Sequence, residues 1–351
     1  MSFVFYAIFN TISIGWPHGQ FMIDKHNREI NYLRVSITDR CNLRCVYCMP
    51  KEGVSFLGHK DVLSYEEILR VVHAAVRTGI VKVRVTGGEP LVRRGVIDFL
   101  AALNRIPGLR DISLTTNGIL LEDYADDLVT AGIRRINVSL DSLIAEKYRA
   151  ITRGGDLARV HRGIEKSYTA GLSPIKINVV AIKGFNDDEV IDFAKLTMDR
   201  PYQVRFIEFM PIGEAALENG FHYLSHDEIL DTINGFSPLE AITGNRSSTD
   251  GPARLFKMQG ARGEIGLISA MSHQFCSSCN RLRLTADGRL RACLMSDEEL
   301  DLKTPLRDGC DDATVQGLIR RAILNKPKNS PLNCCETRRK KCIKNMSAIG
   351  G

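Results

Sequence analysis

Asp39-Arg40-Cys41-Asn42-Leu43-Arg44-Cys45-Val46-Tyr47-Cys48 sets three thiols in a C-x₃-C-x₂-C spacing, directly after the apolar run Tyr32–Thr38. A strand that ends in so short a loop can aim all three sulfurs at one inorganic centre. Three thiolates satisfy three irons of a 4Fe–4S cube and leave the fourth iron open to a substrate. The alternative is a zinc knuckle. Zinc takes four ligands, and the nearest further Cys or His, His59, is eleven residues beyond Cys48.

Working outward from that loop, short β-branched runs alternate with amphipathic stretches. The strand expectations are Tyr32–Thr38, Val81–Val85, Asp111–Thr115, Arg135–Leu140, Ile175–Ile182 and Val204–Met210. Between them the pattern predicts helices over Ser64–Thr78, Arg94–Asn104, Glu122–Ala131, Leu157–Ala170 and Asp187–Met198. Ser64-Tyr65-Glu66-Glu67 has the form of a capping box, and Gly79 stands where a helix stops. Alternating strands and helices predict a parallel sheet, open or curled into a barrel. Polar residues gather after the strands, as in Thr86-Gly87-Gly88-Glu89-Pro90, Thr115-Thr116-Asn117-Gly118 and Ser139-Leu140-Asp141-Ser142. Chemistry at the C-terminal ends of parallel strands is the pattern of a barrel-like α/β enzyme.

The organisation read from this is an N-terminal extension (1–21), a barrel (22–213), a C-terminal domain with a second cysteine set (214–325) and a basic tail (326–351). The extension is apolar and aromatic without Lys or Arg, so it resembles neither a secretory signal nor a transit peptide. Its polar Asn10, Thr11 and Ser13 make it a poor membrane span. The chain has 351 residues, 44% of them hydrophobic and 25% charged, enough to bury a large core without disulfides. Ten cysteines that cluster, without a secretory signal, point to metal binding in a reducing, cytoplasmic setting. The net charge of +6 suits an anionic partner.

The second set is Cys276-x₂-Cys279-x₁₃-Cys293. No second C-x₂-C pair completes a zinc ribbon, although His273 could serve as a fourth zinc ligand. Otherwise it is a second cluster site with an open iron. Between its ligands runs Asn280-Arg281-Leu282-Arg283-Leu284, where alternation puts Arg281 and Arg283 on one face as an anion grip. Arg34, Arg84, Lys176 and Arg205 lie inside expected strands. Buried unpaired cations are costly, so four of them in strands favour a cavity for a polyanion such as a triphosphate. In Gly87-Gly88-Glu89-Pro90 the glycines allow close backbone approach to a ligand, and Glu89 could accept from an amine. The chain closes with Gly350-Gly351, which lack side chains that would bar entry into a narrow cavity.

The cysteine loop followed one helix later by Gly-Gly-Glu-Pro resembles the radical S-adenosylmethionine (radical SAM) superfamily. With the second trio, Cys-Asn-Arg-Leu-Arg-Leu-Thr-Ala-Asp-Gly from Cys279, Arg-Phe-Ile-Glu-Phe-Met from Arg205 and the terminal Gly-Gly, the chain from about Phe21 onward resembles the GTP 3′,8-cyclases of molybdenum-cofactor biosynthesis. The resemblance implies a partial (βα)₆ TIM-like barrel with a C-terminal iron–sulfur cluster domain, two 4Fe–4S clusters and SAM. Cys41, Cys45 and Cys48 would hold the SAM cluster, and Cys276, Cys279 and Cys293 the second, whose open iron meets guanine. Tyr47, Gly88, Ser139 and Met210 would contact SAM. Arg34, Arg84, Thr115, Lys176, Arg281, Leu282 and Arg283 would hold GTP. Gly350 and Gly351, with Arg281 and Arg283, would have catalytic roles.

The implied reaction takes hydrogen from the ribose C3′ of GTP with a 5′-deoxyadenosyl radical and joins C3′ to C8. The product is (8S)-3′,8-cyclo-7,8-dihydroguanosine 5′-triphosphate. An electron donor protein would supply the reductant, and cyclic pyranopterin monophosphate synthase would take the product. The enzyme would be a homodimer that binds neither membrane nor nucleic acid. Two departures stand out: the first 20 residues are extra, and Asn333–Lys344 carries Cys334, Cys335 and Cys342 where a tail histidine is expected. The competing expectations are a different radical SAM enzyme with an auxiliary cluster and a zinc-stabilised nucleic-acid-binding protein.

Overall fold

The structure, a computed structural model, describes residues 22–213, 216, 220–244, 251–330 and 344–350. The N-terminal extension, Cys334, Cys335, Cys342, the run Arg338–Lys341 and Gly351 lie outside the described residues.

A small antiparallel hairpin, β1 (Met22–Ile23) and β2 (Glu29–Ile30), precedes the main sheet. Six parallel strands then follow in sequence: β3 (Tyr32–Ser36), β4 (Lys82–Thr86), β5 (Asp111–Thr116), β6 (Arg135–Ser139), β7 (Ile175–Lys183) and β8 (Gln203–Glu208). Each lies within a few residues of its sequence expectation. The intervening helices form because their apolar residues recur on one face. In Tyr65–Val76, Ile68, Val71, Val72 and Ala75 are buried against the sheet, and Ser64 and Glu67 form the expected reciprocal capping box. In Leu157–Thr169, Asp156 caps the amides of Ala158 and Arg159.

Within the barrel, one α-helix was not expected among the described residues. Ala145–Thr152 is short and mostly polar, and it folds because Tyr148, Ile151 and Thr152 are buried. Its last carbonyls accept the amides of Arg44 (Thr152 O, 3.1 Å) and Val46 (Ile151 O, 2.9 Å), so it props the first cysteine loop.

The C-terminal stretch extends the same sheet. A short β9 (His222–Tyr223) pairs with β7, helix His226–Phe236 follows, and β10 (Leu239–Ala241) and β11 (Arg254–Met258) lead to β12 (Glu264–Ile268), which adds parallel to β8. Next, β13 (Arg281–Leu284) adds parallel to β3 at the far edge, continued by antiparallel β14 (Arg289–Arg291) and β15 (Leu300–Asp301). Eight parallel strands therefore run in the order β12-β8-β7-β6-β5-β4-β3-β13. Residues 269–280 connect the two outer strands across the open seam.

Alternation sorts the side chains. Val83, Val85, Leu114, Ile136, Val138, Ile177 and Val204 face outward into the helices and are buried there. The opposite face carries Arg34, Arg84, Lys176 and Arg205, the cations read from the sequence, together with Ser113, Asn137 and Asn178.

Candidate functional site

The inner face encloses a cavity of about 320 Å³. Cys41, Cys45 and Cys48 line it, and so do Cys276, Cys279 and Cys293; all six are free thiols. Strand register separates the two trios along the barrel axis. The first follows the C-terminal end of β3. The second begins where Arg281 pairs with Tyr32, at the N-terminal end of β3, with Tyr32 N–H donating to Asn280 O at 3.3 Å. Between these ends, Arg283, Arg34 and Arg84 lie side by side in register.

The first loop is tied down by backbone. Cys48 N–H donates to Cys45 O at 2.9 Å, and Leu43 N–H approaches Cys41 Sγ at 3.4 Å. Gly88 N–H donates to Thr38 O (2.7 Å) and Glu89 N–H to Arg40 O (2.8 Å). A Cβ on Gly88 would lie 2.3 Å from Arg40 O, and one on Gly87 would lie 2.7 Å from Thr38 O. The paired glycines thus serve close approach to the cluster loop itself, and Gly88 also borders the cavity.

Glu89 corrects the sequence reading. Its side chain is fully buried and accepts from Leu91 N–H (3.1 Å), Thr116 Oγ1 (2.8 Å) and Asn117 N–H (2.7 Å). It ties the exit of β4 to that of β5 and does not border the cavity. Burial pushes its carboxyl up to about 7.

Two cavity residues were missed by sequence reasoning. Asn117 Nδ2 approaches Cys41 Sγ at 3.7 Å. Asp141 accepts the Tyr47 hydroxyl and, at 2.8 Å, Val180 N–H. Both stand just after strands, in the Thr-Thr-Asn-Gly and Ser-Leu-Asp-Ser segments, and that position was the available signal. Burial pushes the Asp141 carboxyl up to about 6. Tyr47, Ser139 and Met210 line the same end of the cavity.

Burial and mutual repulsion, with Asp141 adding to it, raise the thiols of Cys45 and Cys48, and burial raises that of Cys41. Three such sulfurs are stable as thiolates only against a multivalent cationic centre, which fits an iron–sulfur cube. Among the described residues no group of three or more His, Cys, Asp or Glu side chains is placed to hold a single metal ion. His273 is exposed and contacts Asp227 at 3.3 Å instead of lining the cavity.

The second trio differs. Burial would raise Cys279, but Arg281 and Lys326 outweigh it and hold the thiol down near 6. Burial raises Cys276. Arg281 stacks on Phe275 at 4.9 Å. Leu282, grouped with the arginines as a GTP contact, is fully buried in the apolar core on the other face of β13; its side chain does not reach the cavity. Lys176 faces inward but lies beneath the cavity lining.

The cationic layer is dense. Burial, then Arg205, Arg135, Arg84 and Lys82, lower Lys176 to about 6; burial lowers Lys82 to about 7. Burial and then Arg84 lower Arg205 to about 9, and burial and then Arg281 lower Arg283 to about 10. Tyr32 sits over Lys82 (4.8 Å) and Arg84 (5.6 Å). Its burial is outweighed by Arg84, Arg34 and Lys82, which bring the phenol down to about 8. The Thr115 hydroxyl in the cavity wall is buried and has no hydrogen-bond partner among the described residues. Gly266 leaves space for the stem of Arg205, whose Cγ would lie 3.0 Å from a Cβ there.

The tail enters from the side. Met346–Ile349 is one helical turn in which Ile349 is buried beside Ile212 and Met295. Arg283 Nη1 donates to Gly350 O at 2.9 Å. Gly350 has φ +80°, and a Cβ would meet Ser36 Cβ at 2.7 Å and Thr86 Oγ1 at 2.8 Å, so only glycine fits.

A parallel half-barrel with three cysteines after its first strand and Gly-Gly-Glu-Pro after its second defines a radical SAM protein. Residues 35–197 match the Radical SAM superfamily, and residues 202–332 match the family Molybdenum Cofactor Synthesis C. The crystal structure of Streptococcus suis SuiB bound to S-adenosylmethionine shares this fold, with a TM-score of 0.57 at 14% identity over 84% of this chain and 69% of SuiB.

The chain belongs to the GTP 3′,8-cyclase family of molybdenum-cofactor biosynthesis. The GTP 3′,8-cyclase of Alkaliphilus oremlandii is 48% identical over 330 residues, covering 94% of this chain and all of the relative. That of Pelotomaculum thermopropionicum is 49% identical over 332 residues, with the same coverage. That of Moorella thermoacetica is 51% identical over 306 residues, covering 87% of this chain and 94% of the relative.

Proposed function

We propose that this radical SAM GTP 3′,8-cyclase works between two clusters, the first held by Cys41, Cys45 and Cys48 and the second by Cys276, Cys279 and Cys293. The observation that carries this reading is one cavity with a free-thiol trio at each end and guanidiniums between them. When bound, the first cluster and SAM supply a 5′-deoxyadenosyl radical able to take hydrogen from the ribose C3′ of GTP.

The remaining work belongs to the chain. Tyr47, held by Asp141, walls the SAM end with Gly88, Ser139 and Met210. Arg34, Arg84, Arg205 and Arg283 bind the triphosphate, with Lys176 and Lys82 adding charge from below. Thr115 supplies a hydroxyl whose hydrogen bonds are still to be made. Arg281 orients the substrate at the guanine end. Arg283 joins substrate to tail through Gly350 O, and Gly351, the next residue in the chain, takes the catalytic role that the family resemblance implies. The buried tail turn keeps water from this side of the chamber. Such positioning and exclusion are the protein's share when a cofactor carries the hard step.

A donor protein supplies the electron in the cytoplasm, and cyclic pyranopterin monophosphate synthase receives the product. The chain acts as a homodimer. Among the described residues no helix is long and apolar enough to cross a membrane. The test is anaerobic incubation of the reconstituted protein with GTP, SAM and a reductant, followed by product analysis. Cyclic dihydroguanosine triphosphate together with 5′-deoxyadenosine is expected. SAM cleavage without any GTP-derived product would overturn the assignment.

A further inference from the structure

Lys326 opens the stretch read from sequence as a basic tail, yet it is 2% exposed and lines the cavity. Its Nζ donates to Arg281 O at 2.8 Å and to Ala292 O at 2.6 Å. Those carbonyls lie two residues after Cys279 and one before Cys293. One ammonium therefore ties together the two segments that carry these thiols.

Arg28, from the β1–β2 hairpin, completes the arrangement from outside. Its Nη1 donates to Cys276 O at 2.8 Å and its Nη2 to Pro327 O at 2.8 Å, while its Nε donates to Asp24 Oδ2 at 2.7 Å. Both thiol-bearing segments are thus held by two buried cations, one of which is paired with an acid. Around the first trio the balance is reversed. The charges acting on it are chiefly Asp141 and Glu89, with Arg44 opposing.

We propose that Lys326 is a positioning residue for the second trio: its ammonium fixes the spacing of Cys279 and Cys293 and places a buried positive charge beside that trio. The inference rests on the reading that the second trio holds a cluster. A buried cation beside a cluster favours its reduced, more negative form, and hydrogen bonds and net charge are among the principal controls of such potentials. The second cluster then has a higher reduction potential than it would have without Lys326, and a grip that resists loss of iron.

The test compares the reconstituted full-length protein with Lys326→Met, which keeps the stem and removes the charge. Two readouts are used: anaerobic release of iron to a chelator, and electron paramagnetic resonance during a dithionite titration. Both are repeated in a Cys41→Ala/Cys45→Ala/Cys48→Ala background, where the second cluster stands alone. Lys326→Met should release the second cluster's iron about 10–100-fold faster, the range seen when outer partners of a metal site are lost. Its midpoint should fall, and the first cluster's signal should keep its midpoint. Lys326→Gln carries the same prediction for the potential and serves if the methionine variant does not fold. Unchanged release and unchanged midpoint in a variant that retains both clusters would overturn the role of Lys326. Absence of a second cluster from the otherwise wild-type protein would instead overturn the reading beneath it.

Discussion

Each cysteine trio brings three thiols to the same cavity, but the two are built in opposite ways. The first sits in a loop pinned by backbone hydrogen bonds from three directions: the helix Ala145–Thr152, the Gly87-Gly88 turn and its own Cys45–Cys48 turn. Its surroundings raise its thiols. The second is spread over two segments joined by the β13–β14 hairpin, and side-chain cations hold it: Arg28 at Cys276, and Lys326 between Cys279 and Cys293. A contiguous loop can be organised locally, whereas a dispersed site needs long-range ties. The difference fits the division of labour proposed here, in which the first centre is reduced at low potential and the second holds a substrate beside guanidiniums.

The largest expected effects separate the trios directly. Replacing Cys41, Cys45 and Cys48 by Ala should reduce reductive SAM cleavage by more than about 100-fold, beyond the loss of any outer partner. Replacing Cys276, Cys279 and Cys293 should remove the GTP-derived product to the same degree while 5′-deoxyadenosine remains measurable. Equal loss of both products in both variants would erase the distinction.

Next in size is Arg283→Gln, which removes the link to Gly350 and one guanidinium from the layer. A hydrogen bond from a charged donor contributes about 1.5–3 kcal/mol. The expected fall in kcat/KM for GTP is therefore about 10- to 100-fold, with SAM cleavage affected less. Asp141→Asn acts at the other end. It weakens the hold on Tyr47 by about 1 kcal/mol, so KM for SAM should rise by about fivefold while GTP affinity stays constant, as calorimetry would show.

The smallest effect is in pH. Burial and the neighbouring cations lower Lys176 to about 6 and Lys82 to about 7 in the free protein. A bound polyanion raises both, so the complex holds more protons than the free protein. Affinity for GTP should therefore weaken as pH rises above 7, and binding should take up protons, which calorimetry in buffers of different ionisation enthalpy measures. Lys176→Met should reduce the uptake. Proton release on binding would contradict the assignment of the triphosphate to this layer.

Much of this was legible in the chain. The period-two runs gave the six strands, and the capping box gave the first helix. The inward cations could be read because Arg34, Arg84, Lys176 and Arg205 break otherwise apolar strands. Other features depend on contacts far apart in sequence. Neither β12 nor β13 carries a local sign that it will join β8 and β3, because edge pairing is decided by which neighbour lacks a partner. Lys326 and Arg28 look like surface residues, and only the fold buries them. Glu89 was read as able to accept from a ligand amine, whereas three donors of the chain itself bond to it. Leu282 was carried along with its arginine neighbours, although strand alternation turns it away.

The central claim is that the second trio holds an iron–sulfur cluster of its own. The most direct test is iron, sulfide and zinc analysis with Mössbauer spectroscopy on the anaerobically reconstituted Cys41→Ala/Cys45→Ala/Cys48→Ala protein. The account predicts about four irons and four sulfides in a single cube, half the content of the unaltered chain. Stoichiometric zinc without sulfide, or no bound metal in a folded variant, would contradict it.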